Sequence, residues 1–236
     1  MDRAEMERLQ REVAARAAFA DDFAFDAEAV GTDHGPLVAG VDQAFLDDRA
    51  VSAVVVVRGD SVVERTHAVS LLSIPYVPGL LSFREGGPIV DALATLDADP
   101  DLFVFDGSGR IHFRQAGLAT HLGVVFDVPA VGVAKNLLCG TLDEDPEGRN
   151  EGWRTAVRAD DSMDAPEGTV VGYAFQSRQY DSNPVINPLY VSPGHRVSAE
   201  TTVEFVDALG GDYKLPEPTR LADAHADEVK RRVAGE

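Results

Sequence analysis

Apolar residues recur at spacings of three and four through Met6, Leu9, Val13 and Ala17, which predicts an amphipathic helix over residues 3–20. An acidic connector with Gly and Pro, 21–36, separates it from three runs rich in β-branched residues. These are LVAGVDQAF (37–45), VSAVVVVRG (51–59) and SVVERTHAVSLL (61–72). The short polar breaks between them predict an antiparallel meander, with Arg58-Gly59-Asp60 as the second turn.

The pattern then changes. Pro75 and Pro78 bracket a stiff turn, and Pro88 suits the first turn of a helix running to about Leu96. DLFVFDG (101–107) reads as a buried strand, QAGLATHLGVVFD as a helix and PAVGVAK (129–135) as a further strand, so a right-handed parallel crossover is expected. Beyond a loop rich in Asp, Glu and Gly (141–152) come strands near 153–158 and 169–175, and then a tail that opens with the segment Pro188 to Val191. Helices are expected from about Ser198 to Leu209 and after Pro218. The sum is an α/β fold with a mixed central sheet, three antiparallel strands followed by parallel ones, and helices on both faces. That order resembles ribonuclease H-like domains, and 236 residues suit one such domain over 1–236 with the helix 3–20 at its start.

Charge complicates the choice of partner. A net charge of -19 and a pI near 4.6 are the reverse of a basic nucleic-acid footprint. Either no polyanion is bound, or the surface is adapted to high salt, where a Debye length of roughly 3 Å at 1 M leaves little repulsion. The second reading is favoured because Lys135, Lys214 and Lys230 are the only lysines, and because Asp106 is the only carboxylate between Phe103 and Phe126. No apolar run approaches the ~20 residues that cross a bilayer. The start of the chain has no leader pattern, and the single cysteine, Cys139, excludes an intrachain disulfide. A cytoplasmic location without membrane contact is the expectation.

Three acids stand where strand chemistry would not place them by chance. Asp42 interrupts an apolar strand, Asp106 closes another, and Glu85 lies in SFREGG, just before the helix expected from Pro88. An unpaired buried carboxylate is costly, so such groups have partners. Asp42 and Asp106 would sit side by side if their strands pair, offering hard oxygens for Mg²⁺. On the residues alone, turn or capping roles beside arginines remain equally open. His112 follows the Asp106-Gly107-Ser108-Gly109 loop, and Lys135 ends the next strand at the edge where open α/β sheets place ligands. Taken singly, His112 reads as a hydrogen-bonded histidine and Lys135 as a strand-end cation.

Together these segments resemble the endonuclease V family. The resemblance covers about 30–215 and runs through AGVDQAF, PYVPGLLSFREG, DGSGRIHFRQAGLATHLG, PAVGVAKNLLCG, LYVSPGHRVS and LPEPTRLA. It implies a nuclease that uses Mg²⁺, with Mn²⁺ able to substitute, held by Asp42, Asp106 and Glu85. It further implies Lys135 at the phosphate and His195 as a late histidine near the metal. Pro75-Tyr76-Val77-Pro78 matches the family's wedge, which helps flip the lesion base out of the helix. Gly79, Leu81, Gly107 and Gly117 are expected around that base, with Tyr76, Pro78, His112 and Arg114 as further substrate contacts. After His112 this chain has Phe113, Arg114 and Gln115 where the family usually has proline and two arginines, which puts one phosphate contact in doubt. The implied activity is hydrolysis of the second phosphodiester 3′ to deoxyinosine in DNA, leaving 3′-hydroxyl and 5′-phosphate ends, by a chain acting as a monomer. The alternatives are an inosine-specific ribonuclease on single-stranded RNA and a non-catalytic nucleic-acid binder.

Overall fold

The computed structural model describes residues 2–72, 74, 77, 79–182 and 187–235. Three long strands, β1 (Val38–Leu46), β2 (Arg49–Arg58) and β3 (Ser61–Leu71), form the expected antiparallel meander. β4 (Leu102–Asp106) pairs parallel to β1, and β5 (Ala130–Ala134) parallel to β4. The expected crossover between them runs through α3 (Leu118–Phe126). Past β5 the sheet turns antiparallel through β9 (Leu189–His195), β8 (Val170–Phe175), β7 (Arg154–Arg158) and the two-residue β6 (Thr141–Leu142). The order is β3-β2-β1-β4-β5-β9-β8-β7-β6. The parallel part is therefore confined to β1, β4 and β5.

Both faces of the central strands are buried, which explains their nearly continuous apolar sequence. On one face Val38, Val55, Leu102 and Val104 pack with Val203, Phe205 and Val206 of α4 (Ala199–Ala208) and Ala222 of α5 (Glu217–Ala234). On the other, Ala39, Val41, Phe103 and Phe105 pack with Ile89 and Ala92 of α2 (Leu81–Leu93) and Leu118 and Leu122 of α3.

Two helices differ from the sequence expectation. α1 (Arg3–Arg16) stops at Ala17, whose backbone is already extended. α2 begins at Leu81, so Pro88 lies inside it and Glu85 on it rather than ahead of it. Gly86, Gly87 and Pro88 all oppose a helix locally. Burial of Ser82, Glu85, Gly86, Pro88, Ile89 and Ala92 outweighs that propensity.

One glycine sets the position of α5. A Cβ on Gly40 would come 2.1 Å from the Pro218 carbonyl, so only glycine lets the start of α5 seat on β1. From Pro218 to Asp223 the helix advances about 7.5 Å, and from Gly40 to Asp42 the strand advances about 6.8 Å. Asp223 thus arrives level with Asp42.

Candidate active site

The last parallel pair of β1 and β4 is Val41 with Phe105, so Asp42 and Asp106 are the next residues on adjacent strands at one edge of the sheet. Glu85 approaches this edge on α2 and Asp223 on α5, from opposite faces. Lys135, one residue past β5, donates to Asp106 Oδ2 at 2.8 Å. Asp42, Glu85, Asp106 and Lys135 line a cleft of about 370 Å³ with Gln43, Gly107 and Asn136.

Electrostatics mark the cleft as unfinished. Burial, and then the Asp106 charge, push the Asp42 carboxyl up to about 9. Burial pushes Glu85 up to about 7, with Arg84 opposing and Asp106 adding to the rise. Burial works against the Lys135 ammonium, but Asp106, Asp42 and Asp223 outweigh it and raise its pKa. Asp42 Oδ1 accepts the Gln43 backbone N–H at 2.7 Å, whereas its buried Oδ2 has no hydrogen-bond partner. An orphaned buried carboxylate oxygen facing other carboxylates fits a hard divalent cation. Among the described residues no three such side chains already enclose an ion. Asp106 is turned onto Lys135.

A smaller pocket of about 80 Å³ opens from the same cleft. It is lined by Val77, Gly79, Leu81, Ser82, Ser108, His112, Gly117 and Leu118, among others, and Leu81, Ser108, Leu118 and Leu138 line both spaces. Of the glycines expected there, Gly79 and Gly117 line this pocket and Gly107 lines the cleft. Pro75, Tyr76 and Pro78 of the expected wedge lie outside the described residues.

His112 and Arg114 face inward. His112 is buried, and its Nδ1 accepts the Arg114 backbone N–H at 3.2 Å, so its Nε2 carries the proton given to the Gly79 carbonyl at 3.1 Å. Burial, and then the Arg114 charge, hold its pKa down to about 4. Arg114 reaches the same carbonyl, at 3.1 Å, and Gln10 Oε1 at 2.6 Å. A phosphate contact by Arg114 would require breaking these bonds.

His195 is displaced from the expectation. β9 runs antiparallel to β5, and His195 pairs with Ala130, at the start of β5, whereas Lys135 follows its end. Five strand residues separate the two edges by roughly 16 Å. There His195 Nδ1 accepts from Ala18 N–H at 3.1 Å, and Nε2 meets Asp127 Oδ1 at 3.1 Å. It ties β9 to the segment after α1 and to the end of α3. A fourth acid near this edge is Asp223, whose charge reaches Asp42 and Lys135 and which follows directly on the LPEPTRLA segment. An acid flanking the buried stripe Thr219, Ala222 and Ala226 was the available signal.

Paired strand-end carboxylates, a lysine and an adjoining pocket on a mixed sheet of this order define a ribonuclease H-like nuclease. The endonuclease V family model matches residues 24–224, and the chain belongs to that family. An endonuclease V from Natronomonas pharaonis is 64% identical over 232 residues, covering 98% of this chain and 93% of the relative. The crystal structure of the Streptomyces avermitilis endonuclease V superposes with a TM-score of 0.83 at 34% identity, covering 99% of this chain and 95% of that one. The Ciona intestinalis endonuclease V, solved in complex with a 24mer DNA containing an inosine followed by a ribo-adenosine, superposes with a TM-score of 0.77 at 26% identity, covering 98% of each chain.

Proposed function

We propose that this endonuclease hydrolyses the second phosphodiester 3′ to deoxyinosine in DNA, leaving 3′-hydroxyl and 5′-phosphate ends. The observation that carries the reading is the orphaned Asp42 Oδ2 beside Asp106, in a cleft continuous with a small, mostly apolar pocket. Asp42, Asp106, Glu85 and Asp223 would hold Mg²⁺, or Mn²⁺ in its place. Such an ion supplies an activated water and charge neutralisation at the phosphate. Lys135, released from Asp106, would neutralise a phosphate oxygen. Val77, Gly79, Leu81, Ser82, His112 and Gly117 would enclose the flipped base, with Tyr76 and Pro78 in the wedge. Inosine pairs weakly, so flipping it costs less than flipping a normal base. The inosine-containing DNA bound by the Ciona relative supports this reading.

No described helix is long and apolar enough to cross a membrane. A monomer of one domain working in the cytoplasm suits the buried thiol of Cys139 and a DNA substrate.

The reading is tested by mapping cuts in end-labelled strands that carry one deoxyinosine, inosine or adenine, with Mg²⁺ or EDTA. A Mg²⁺-dependent nick one nucleotide beyond the deoxyinosine is expected. Cutting confined to inosine in RNA would replace the substrate, and inosine-selective binding without cutting at any salt would leave a binder. Run across a salt series, the assay also tests the surface. A basic interface loses ~10³–10⁵ in affinity between 50 and 200 mM salt. Here the net charge of -19 repels DNA most at low salt, so cleavage at 1 M KCl should equal or exceed that at 0.1 M.

Cation affinity should also depend on pH. A divalent ion must displace the protons that Asp42 holds below about 9 and Glu85 below about 7. Affinity therefore rises with pH, by up to about tenfold per unit for each proton displaced. Calorimetric titration of Mg²⁺ between pH 6 and 8 checks this, and a flat profile would contradict it.

A further inference from the structure

We infer that Gln10, on helix α1, is a positioning residue for the base pocket, acting through the Gly79 carbonyl. This rests on the proposed function above. Three donors converge on that single oxygen: Gln10 Nε2 at 2.9 Å, His112 Nε2 at 3.1 Å and Arg114 Nη2 at 3.1 Å. Gln10 is fully buried, and its other amide atom accepts from Arg114 Nε at 2.6 Å, so the orientation of the amide is fixed at both ends. With His112 Nδ1 held by the Arg114 backbone N–H, the four residues form a closed network of hydrogen bonds.

The carbonyl they hold stands at a junction. Gly79 has a left-handed backbone, φ +76°, and directly follows the 75–78 segment. Two residues later α2 begins without a side-chain cap, carrying Leu81 and Ser82 into the small pocket and Glu85 into the cleft. An uncapped helix start is held by whatever fixes the chain before it, and here that is the Gly79 peptide. Gln10 lines neither space, and α1 lies outside residues 24–224 matched by the family model. Helix α1 thus acts on the pocket from behind, with Val13 packed against Ala116 and Val124 to seat it.

Two variants separate positioning from support. Gln10→Ala removes both amide contacts. Gln10→Glu keeps an acceptor for Arg114 but sets a carboxylate oxygen against the Gly79 carbonyl. Loss of one such bond corresponds to about tenfold. Both variants of the full chain should raise KM for a deoxyinosine strand about tenfold, with kcat within about threefold of wild type. Amide hydrogen exchange at residues 79–82 should quicken about tenfold in both, while exchange across 3–16 stays at the wild-type rate in Gln10→Glu. An unchanged KM in both variants, or unchanged exchange at 79–82, overturns the inference. So does a proportional fall of kcat together with faster exchange throughout the chain in Gln10→Glu, the mark of a merely structural role. A wild-type chain that leaves inosine strands uncut defeats the proposed function instead, and the exchange readout then decides the Gly79 contact by itself.

Discussion

Asp42→Asn is expected to cut the Mg²⁺-dependent cleavage rate at least a thousandfold, about 4 kcal/mol of transition-state stabilisation, while leaving the chain folded. The amide keeps an oxygen for the Gln43 N–H but cannot offer an anionic oxygen to a cation. Its effect on stability has the opposite sign. In the cation-free chain Asp42 holds its proton up to about 9, whereas unfolded it would release it near 3.8. As pH rises between those values the unfolded form gives up a proton that the folded form keeps, so stability falls with pH. Asn removes that penalty. Without Mg²⁺ at pH 8 the variant should therefore melt above the wild type, with the gap closing towards pH 4. A variant that melts below wild type and retains near-normal cleavage would remove Asp42 from the cation site.

The second large effect separates Asp223 from His195. Asp223→Asn should lower cleavage about a hundredfold or more with little change in melting, because the residue is half-buried on α5 and its charge reaches Asp42 and Lys135. His195→Ala should do the reverse. It leaves the Ala18 N–H without its acceptor and empties the space of a buried imidazole, costing roughly 1–3 kcal/mol of stability, and should keep kcat within a few fold at a temperature where the variant is folded. Steady-state rates and thermal melts on both variants check the pair. Equal losses of activity would contradict the placement of His195 at the edge of the sheet away from the cleft.

Much of this site was legible in the chain because burial and charge conflict so visibly at Asp42 and Asp106. An acid inside an apolar strand stands out, whereas the pairing of β1 with β4 that sets the two side by side is open in the sequence and comes from the fold. Lys135 was legible for the same reason, as a cation at the end of the next strand. Glu85 was found, but its setting was misread, since Gly86, Gly87 and Pro88 hide a helix that only tertiary burial sustains. His195 shows where sequence order misleads: in an antiparallel strand of seven residues, the two ends lie on opposite edges of the sheet. Asp223 was hidden in a mostly polar helix, and its meaning depends on Gly40, some 180 residues earlier, letting that helix lie close on β1. The inward turn of His112 and Arg114 depends on Gln10, whose burial no local pattern announces.

The account is tested most directly by a crystal of the chain with a strand containing one deoxyinosine, grown with Mn²⁺ so that anomalous scattering locates the cation. The expected map has a peak bound directly by oxygens of Asp42 and Asp106, at roughly 2.1 Å, with the hypoxanthine in the pocket of Gly79, Ser82 and His112. A peak only beside His195, or a base stacked in the duplex with the small pocket empty, would contradict it.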